Sequence, residues 1–225
     1  LSTKGYHLII ANTKENVERE ETNLRLLTAG LVDGLLVAST MDDFRHFDSL
    51  IPAGFPVVLV DRNFETKKFP SVSVSNFQPI YRSVCRLSAK GCKRVGLIAG
   101  LPRLSTTKER VSAYREAVAD CGLDCDEALI SYGDSMESSA PACLDQLLSQ
   151  NCDGIIVCQG LMASVIIAYL RQKDLMLSQN LMLVSFVDYN VQSYNLYYQQ
   201  VDQIVQPVEE IGLAAGEEIL RRVEA

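Results

Sequence analysis

This sequence predicts an α/β fold in two lobes, each a doubly wound parallel sheet. Three observations carry that reading. Apolar runs of four to six residues alternate with amphipathic, helix-like stretches along the whole chain. Most of those runs are continuously apolar, as in parallel strands covered by helices on both faces. Finally, Asp33-Gly34-Leu35-Leu36-Val37 and Asp153-Gly154-Ile155-Ile156-Val157 nearly repeat each other, each after a helix-like stretch with a Leu pair. Two copies of one strand in 225 residues suggest two lobes of about 100 residues each.

Taken in order, residues 6–10, 33–38, 56–60, 94–99, 128–131, 153–157 and 181–186 read as strands. The helices between them have readable ends. Asn12 is the expected cap of the first, with Glu15 three residues on and Gly30 closing it. Asn76 starts a helix with Pro79 in its first turn, and Gly91 ends it. Ser105 or Thr106 starts the next, which Gly122 ends. Pro207 opens the last, with Glu209 and Glu210 early and Arg221 and Arg222 late, both signs matched to the helix dipole. Residues 63–76 and 189–203 show no clear period and read as links between the lobes.

Aligning the two repeats exposes a gap. The second half runs strand 94–99, helix 105–121, strand 128–131, helix 136–149, then its Asp-Gly strand. The first half has only strand 6–10 and helix 15–29 before the same motif. A leading strand and helix of the first lobe are therefore expected to lie outside this chain. Such a strand sits inside a doubly wound sheet, so residues 6–10 would lack a neighbour without it.

Composition narrows the function. The net charge is −7 and no large basic stretch occurs. DNA affinity rests on Lys and Arg against phosphates, so this chain is not expected to hold DNA by itself. No apolar run approaches the roughly 20 residues that a bilayer helix needs. The seven Cys are odd in number and scattered, as expected of free thiols in a reducing compartment, the cytoplasm. Cys121 and Cys125 have metal-like spacing, but no second pair completes a site, so no metal or cofactor is expected. No Ser-His-Asp set is placed together by the sequence, and no Gly-Lys-Ser/Thr follows Gly96 and Gly100, so no enzyme is expected. His7 is expected in a buried strand and His46 on a solvated helix face.

Several segments, in order, carry a resemblance. They are Gly5-Tyr6-His7-Leu8-Ile9-Ile10, Leu31-Val32-Asp33-Gly34-Leu35-Leu36-Val37, Pro56-Val57-Val58-Leu59-Val60-Asp61-Arg62 and Pro70-Ser71-Val72. Next come Arg94-Val95-Gly96-Leu97-Ile98-Ala99-Gly100, then Arg110 with Ala113-Tyr114 and Ala117, and Gln206-Pro207-Val208-Glu209-Glu210-Ile211-Gly212. Together they resemble the effector-binding core of the LacI/GalR (lac repressor / galactose repressor) family of transcription regulators. The resemblance implies two type-I periplasmic-binding-protein-like lobes, here residues 1–75 plus 204–225 (incomplete) and 76–203. It places two crossovers near residues 75–77 and 202–205. It implies a small polar effector, a sugar or a related molecule, in the cleft between the lobes, and a homodimer. It also implies operator DNA bound through an N-terminal helix-turn-helix not present in this chain. A periplasmic sugar-binding receptor of a transport system shares the fold and is the alternative.

Candidate ligand-binding residues lie where strands end. Arg110 aligns with a family Arg that reaches the effector, and its fork of donors suits hydroxyls, carboxylates or phosphates. Its truncation is expected to abolish binding and leave unfolding close to wild type. Thr106 and Leu104 align with ligand-touching loop positions, although Thr106 equally reads as a helix N-cap. Arg62 follows the 56–60 strand as a contact or a solvated loop Arg. Ser39 and Thr40 end the first Asp-Gly strand as hydroxyl donors or helix caps. Asp188 stands where the family commonly carries Gly-Phe-Asp-Asp, here Ser185-Phe186-Val187-Asp188. After the second Asp-Gly strand the family usually has Asn or Asp, whereas this chain has Gly160, so a polar contact there is lost or moved to Gln159. The Tyr cluster Tyr189, Tyr194, Tyr197 and Tyr198 reads as packing or as a stacking surface.

Overall fold

The structure is a computed structural model that describes residues 1, 4–64, 66, 68–134, 137–173, 181–187 and 201–225. It divides into two compact units, one of Leu1–Val74, Arg103–Ser105 and Val208–Ala225, the other of Ser75–Pro102 and Thr106–Pro207.

The first unit contains helix α1 (Val17–Thr28), strand β1 (Leu35–Val37), helix α2 (Phe44–Ser49), and strands β2 (Val57–Val60) and β3 (Ser71–Val72). The chain's last helix (Val208–Val223) also belongs to it. The strands form a parallel sheet in the order β1-β2-β3. Leu35, Val57 and Leu59 pack with Phe47, Phe64 and Phe69 in its core. The rings of Phe47 and Phe69 meet edge to face at 5.6 Å, a geometry that adds to their area burial. Gly34 is small for a reason: a Cβ there would lie 2.9 Å from Val223 and 3.0 Å from Ile219. The last helix thus packs directly on the first Asp-Gly strand.

The second unit contains helix α3 (Phe77–Ala89), strand β4 (Val95–Ala99), helix α4 (Ser105–Asp120), strand β5 (Ile130–Tyr132), helix α5 (Ala140–Ser149) and strand β6 (Gly154–Val157). Helix α6 (Gly160–Gln172), strand β7 (Met182–Val187) and strand β8 (Val201–Val205) follow. The Val208–Val223 helix is hereafter α7. The sheet is wholly parallel, in the order β5-β4-β6-β7-β8. Side chains alternate between its faces. Ile98, Ile155 and Val157 join one core with Leu144, Leu147 and Ile166, while Val95, Leu97 and Ile156 join the other with Ile80, Val84 and Tyr114. Both faces are covered, which is why these strands read as unbroken apolar runs.

Four sequence expectations are corrected. Residues 6–10 form no strand, and Leu8, Ile9 and Ile10 are exposed. No strand pairs with them among the described residues, and an isolated strand leaves its N–H and C=O groups without a ladder. His7, expected in a buried strand, is consequently exposed. The cap of α1 is Asn16, whose Oδ1 accepts from the Arg19 N–H at 2.8 Å. Asn12 instead accepts from the Lys14 N–H in a turn that puts Lys14 and Glu15 at positive φ. Residues 71–72 and 201–205, read as links, are strands β3 and β8.

Candidate functional site

Strand β4 sits between β5 and β6, so the chain leaves β4 toward one side of the sheet and returns to the other. In open α/β sheets the usual ligand position lies at such a reversal, beyond the carboxyl ends of the strands. Arg110, on α4, is placed there. Its Nη1 donates to the Cys158 carbonyl at 2.7 Å, at the end of β6. Its Nε donates to Asn76 Oδ1 at 2.8 Å. The guanidinium lies over the Phe186 ring of β7, 4.0 Å from the centroid, a cation–π contact strengthened by burial.

Glu109, the preceding residue, completes the network. Its Oε1 accepts from the backbone N–H of Asn76 at 2.9 Å and of Phe77 at 3.0 Å. It thereby caps the N-terminus of α3 with a carboxylate, in a position the helix dipole favours. Burial pushes the Cys158 thiol up to about 11, with Arg110 opposing. Cys158 is therefore a neutral packing group at physiological pH.

Arg110 is only 8% exposed, and this corrects the expectation that its truncation leaves stability unchanged. Removing it strips a partner from Asn76 and from a buried carbonyl. Hydrogen bonds to a charged group each contribute about 1.5–3 kcal/mol, so losing both with Arg110→Ala costs roughly 3 kcal/mol or more.

Leu104 and Thr106 are both buried. Gln159 is half-buried and stands at the N-cap of α6, its carbonyl accepting from Ala163 at 3.1 Å. Gly160 has a steric reason to depart from the family's polar residue. A Cβ there would sit 3.0 Å from the Phe186 carbonyl oxygen, so Asn or Asp would require the β7 backbone to give by a few tenths of an ångström. Asp188 and the four tyrosines of the 189–198 cluster lie outside the described residues.

In the first unit, Ser39 and Thr40 are buried against a residue that sequence reasoning missed. Glu20, on α1, accepts from Ser39 Oγ at 2.6 Å, Thr40 N at 2.6 Å and Thr40 Oγ1 at 2.7 Å. These hydroxyls end β1 by binding a buried carboxyl, and Thr40 caps no helix; Asp43 caps α2. Arg62 forms a bidentate pair with Glu15, at 2.7 and 2.6 Å. It also reaches the Ser39 carbonyl at 3.3 Å. Asp61 turns the chain at φ 62. Arg103, which the sequence did not single out, donates to the carbonyls of Thr40 at 2.9 Å and Glu15 at 2.6 Å. His46 is half-buried and bonds Glu21 at 2.7 Å instead of standing free in solvent. Among the described residues, no group of three His, Cys, Asp or Glu is placed to hold a metal ion.

Two α/β units with parallel sheets and an Arg-centred polar network at a strand-order reversal define a ligand-binding protein of open-sheet type. The chain belongs to the family described as periplasmic binding proteins and sugar binding domain of LacI family, whose model matches residues 1–225. It is similar to the transcriptional repressor PurR of Pasteurella multocida, 24% identical over 98% of this chain and 66% of the relative. It is similar also to the transcriptional regulator CelR of Thermobifida fusca, 26% identical over 99% of this chain and 66% of the relative. The chain thus spans 66% of the length of each of these two relatives. Among solved structures, the transcription regulator CcpA of Lactococcus lactis superposes with TM-score 0.87 at 24% identity, over 99% of this chain and 81% of that one. A transcriptional regulator CelR–cellobiose complex superposes with TM-score 0.82 at 25% identity, over 99% of this chain and 68% of that one. No helix among the described residues is long and apolar enough to cross a membrane.

Proposed function

We propose that this chain is the effector-binding part of a LacI-type transcription regulator, and that it takes a small polar molecule, a sugar or a related polyol, beside Arg110. The observation that carries this reading is the buried Arg110 network at the strand-order reversal, in a chain that matches the family over its whole length. The likeness to a regulator with bound cellobiose supports a saccharide as the ligand class. Thr106 and Gln159 are further candidates for contact, and Leu104 and Asp188 are candidates by sequence position. Ser39 and Arg62, held by Glu20 and Glu15, are further candidates by sequence position. The regulator works in the cytoplasm as a homodimer and holds operator DNA through a separate helix-turn-helix segment. The effector acts through its different affinity for two states of the protein, and a tenfold change in DNA affinity needs about 1.4 kcal/mol of coupling. The relatives reported above are regulators, which favours this reading over a periplasmic receptor.

A thermal-shift screen of the purified chain against sugars, sugar phosphates and nucleobases tests the proposal. A true effector at one hundred times its Kd adds about 2.7 kcal/mol, a rise in Tm of roughly 5 °C or more. A screen in which no saccharide or polyol raises Tm, or in which only nucleobases do, overturns the assigned ligand class.

A further inference from the structure

Helices α3 and α4 carry the polar network at one end. At the other end they bring two thiols together. Cys85 Sγ on α3 lies 3.1 Å from Cys121 Sγ, just beyond α4, across 36 residues of sequence. One helical turn before Cys85, Tyr81 Oη donates to Asp120 Oδ2 at 2.7 Å and holds the two segments in register. Phe77 stacks on Tyr81 on the same face, 6.1 Å between centroids. Both cysteines are half-buried, whereas Cys92, Cys143, Cys152 and Cys158 are buried. The pair is thus reachable by a small oxidant and already aligned.

We propose that Cys85 and Cys121 are an oxidant-responsive dithiol that closes to a reversible disulfide, clamping α3 to the end of α4. The co-reactant is a low-mass disulfide. One protein thiolate attacks a sulfur of that disulfide, forming a mixed disulfide and releasing one small thiol. The second protein thiolate then attacks the protein-side sulfur and releases the other small thiol. Two electrons leave the cysteine pair, one small disulfide is reduced to two thiols, and the two cysteine protons end on those thiols. Closure draws the sulfurs from 3.1 Å to the roughly 2.05 Å of a disulfide. Burial, the hydrogen bond with Cys85 and the charge of Asp120 hold the Cys121 thiol up at about 11. The closing step is therefore slow at neutral pH and follows sustained oxidation. The clamp ties down the helix pair that presents Arg110, Glu109 and Asn76. Oxidation therefore reaches the polar network without touching it.

The purified chain is incubated with glutathione disulfide, its remaining thiols are blocked, and its non-reduced peptides are read by mass spectrometry. The expected product links the Cys85 and Cys121 peptides with loss of two hydrogens. Tm rises by about 5 °C or more and returns to its starting value on adding dithiothreitol. Cys85→Ser and Cys121→Ser each lose both the linkage and the rise. Linkage of Cys121 to Cys125 overturns the proposal. So does stable glutathionylation of Cys85 or Cys121 without closure, or a wild-type chain that stays fully reduced. The wild-type mass measurement decides the matter without relying on the folding of either variant.

Discussion

The two Asp-Gly strands place the same motif in two different surroundings. In the second unit, β6 lies between β4 and β7, and Ile156 is completely buried. In the first unit, β2 is the one strand that pairs with β1 among the described residues, and the equivalent Leu36 is 37% exposed. The glycines behave alike, since Gly34 is pressed by α7 and Gly154 by Cys92 and Leu87. The aspartates do not. Asp153 accepts from the backbone N–H groups of Lys93 at 2.8 Å and Arg94 at 2.9 Å, tying β6 to the start of β4. Asp33 is exposed, with no such strand start beside it among the described residues. Along the outer edge of β1 runs a cavity of about 820 Å³, lined in part by Leu8, Ile10, Leu31 and Leu36. The glycine of the motif therefore records helix packing, which both units have. The aspartate and the second apolar residue record a second strand neighbour, which among the described residues the second unit supplies.

Substitutions at matched positions break or sharpen that contrast. The largest difference is expected at the second apolar position. Ile156→Ala costs about 4 kcal/mol, as for a large-to-small change in a close-packed core, and Leu36→Ala about 1 kcal/mol or less. Urea unfolding midpoints at constant slope measure both, and equal losses remove the contrast. Next, Asp153→Ala leaves two backbone donors without their carboxylate and costs about 1–2 kcal/mol, while Asp33→Ala stays within about 0.5 kcal/mol. The smallest effects fall on exposed ion pairs, where the units agree. Arg115 holds the Glu127 carboxyl below the usual range in the second unit, and Arg221 and Arg222 do the same for Glu218 in the first. A depressed folded-state value gives stability that is present above the unfolded pKa and lost as pH falls through the folded one. Glu127 faces water and Glu218 is half-buried between two arginines at the surface, so Glu127→Gln should flatten the acid limb of the unfolding profile only slightly and Glu218→Gln a little more.

Legibility in the sequence followed burial. Strands β4, β6 and β7 were readable because each is covered on both faces, which forces an unbroken apolar run. Strand β8 was not, because as an edge strand it sets the polar pair Asp202 and Gln203 between Val201 and Ile204 and so shows neither an apolar run nor an alternation. Its Asp202 faces α3 and pairs with Lys90 at 2.7 Å. Residues 6–10 are largely apolar yet have no strand partner among the described residues, since apolarity asks for cover without supplying a neighbour. In the site, Arg110 was readable from its place in a family pattern. Its supports were not. Glu20, Glu109 and Asn76 lie near helix starts, where a polar residue ordinarily means only capping or dipole compensation. Their partners are brought in by the fold from 19 to 34 residues away. Gly160 stood out as a departure, and its cause, the nearby Phe186 carbonyl, belongs to another strand.

Whether the Arg110 fork holds the effector is tested most directly by calorimetric titration of wild type and Arg110→Lys with a ligand found by thermal shift. Lysine keeps the charge and a donor for Asn76 but loses the planar fork. Circular dichroism of the variant should match wild type, while affinity falls at least tenfold. A folded variant that binds with unchanged affinity would contradict the assignment.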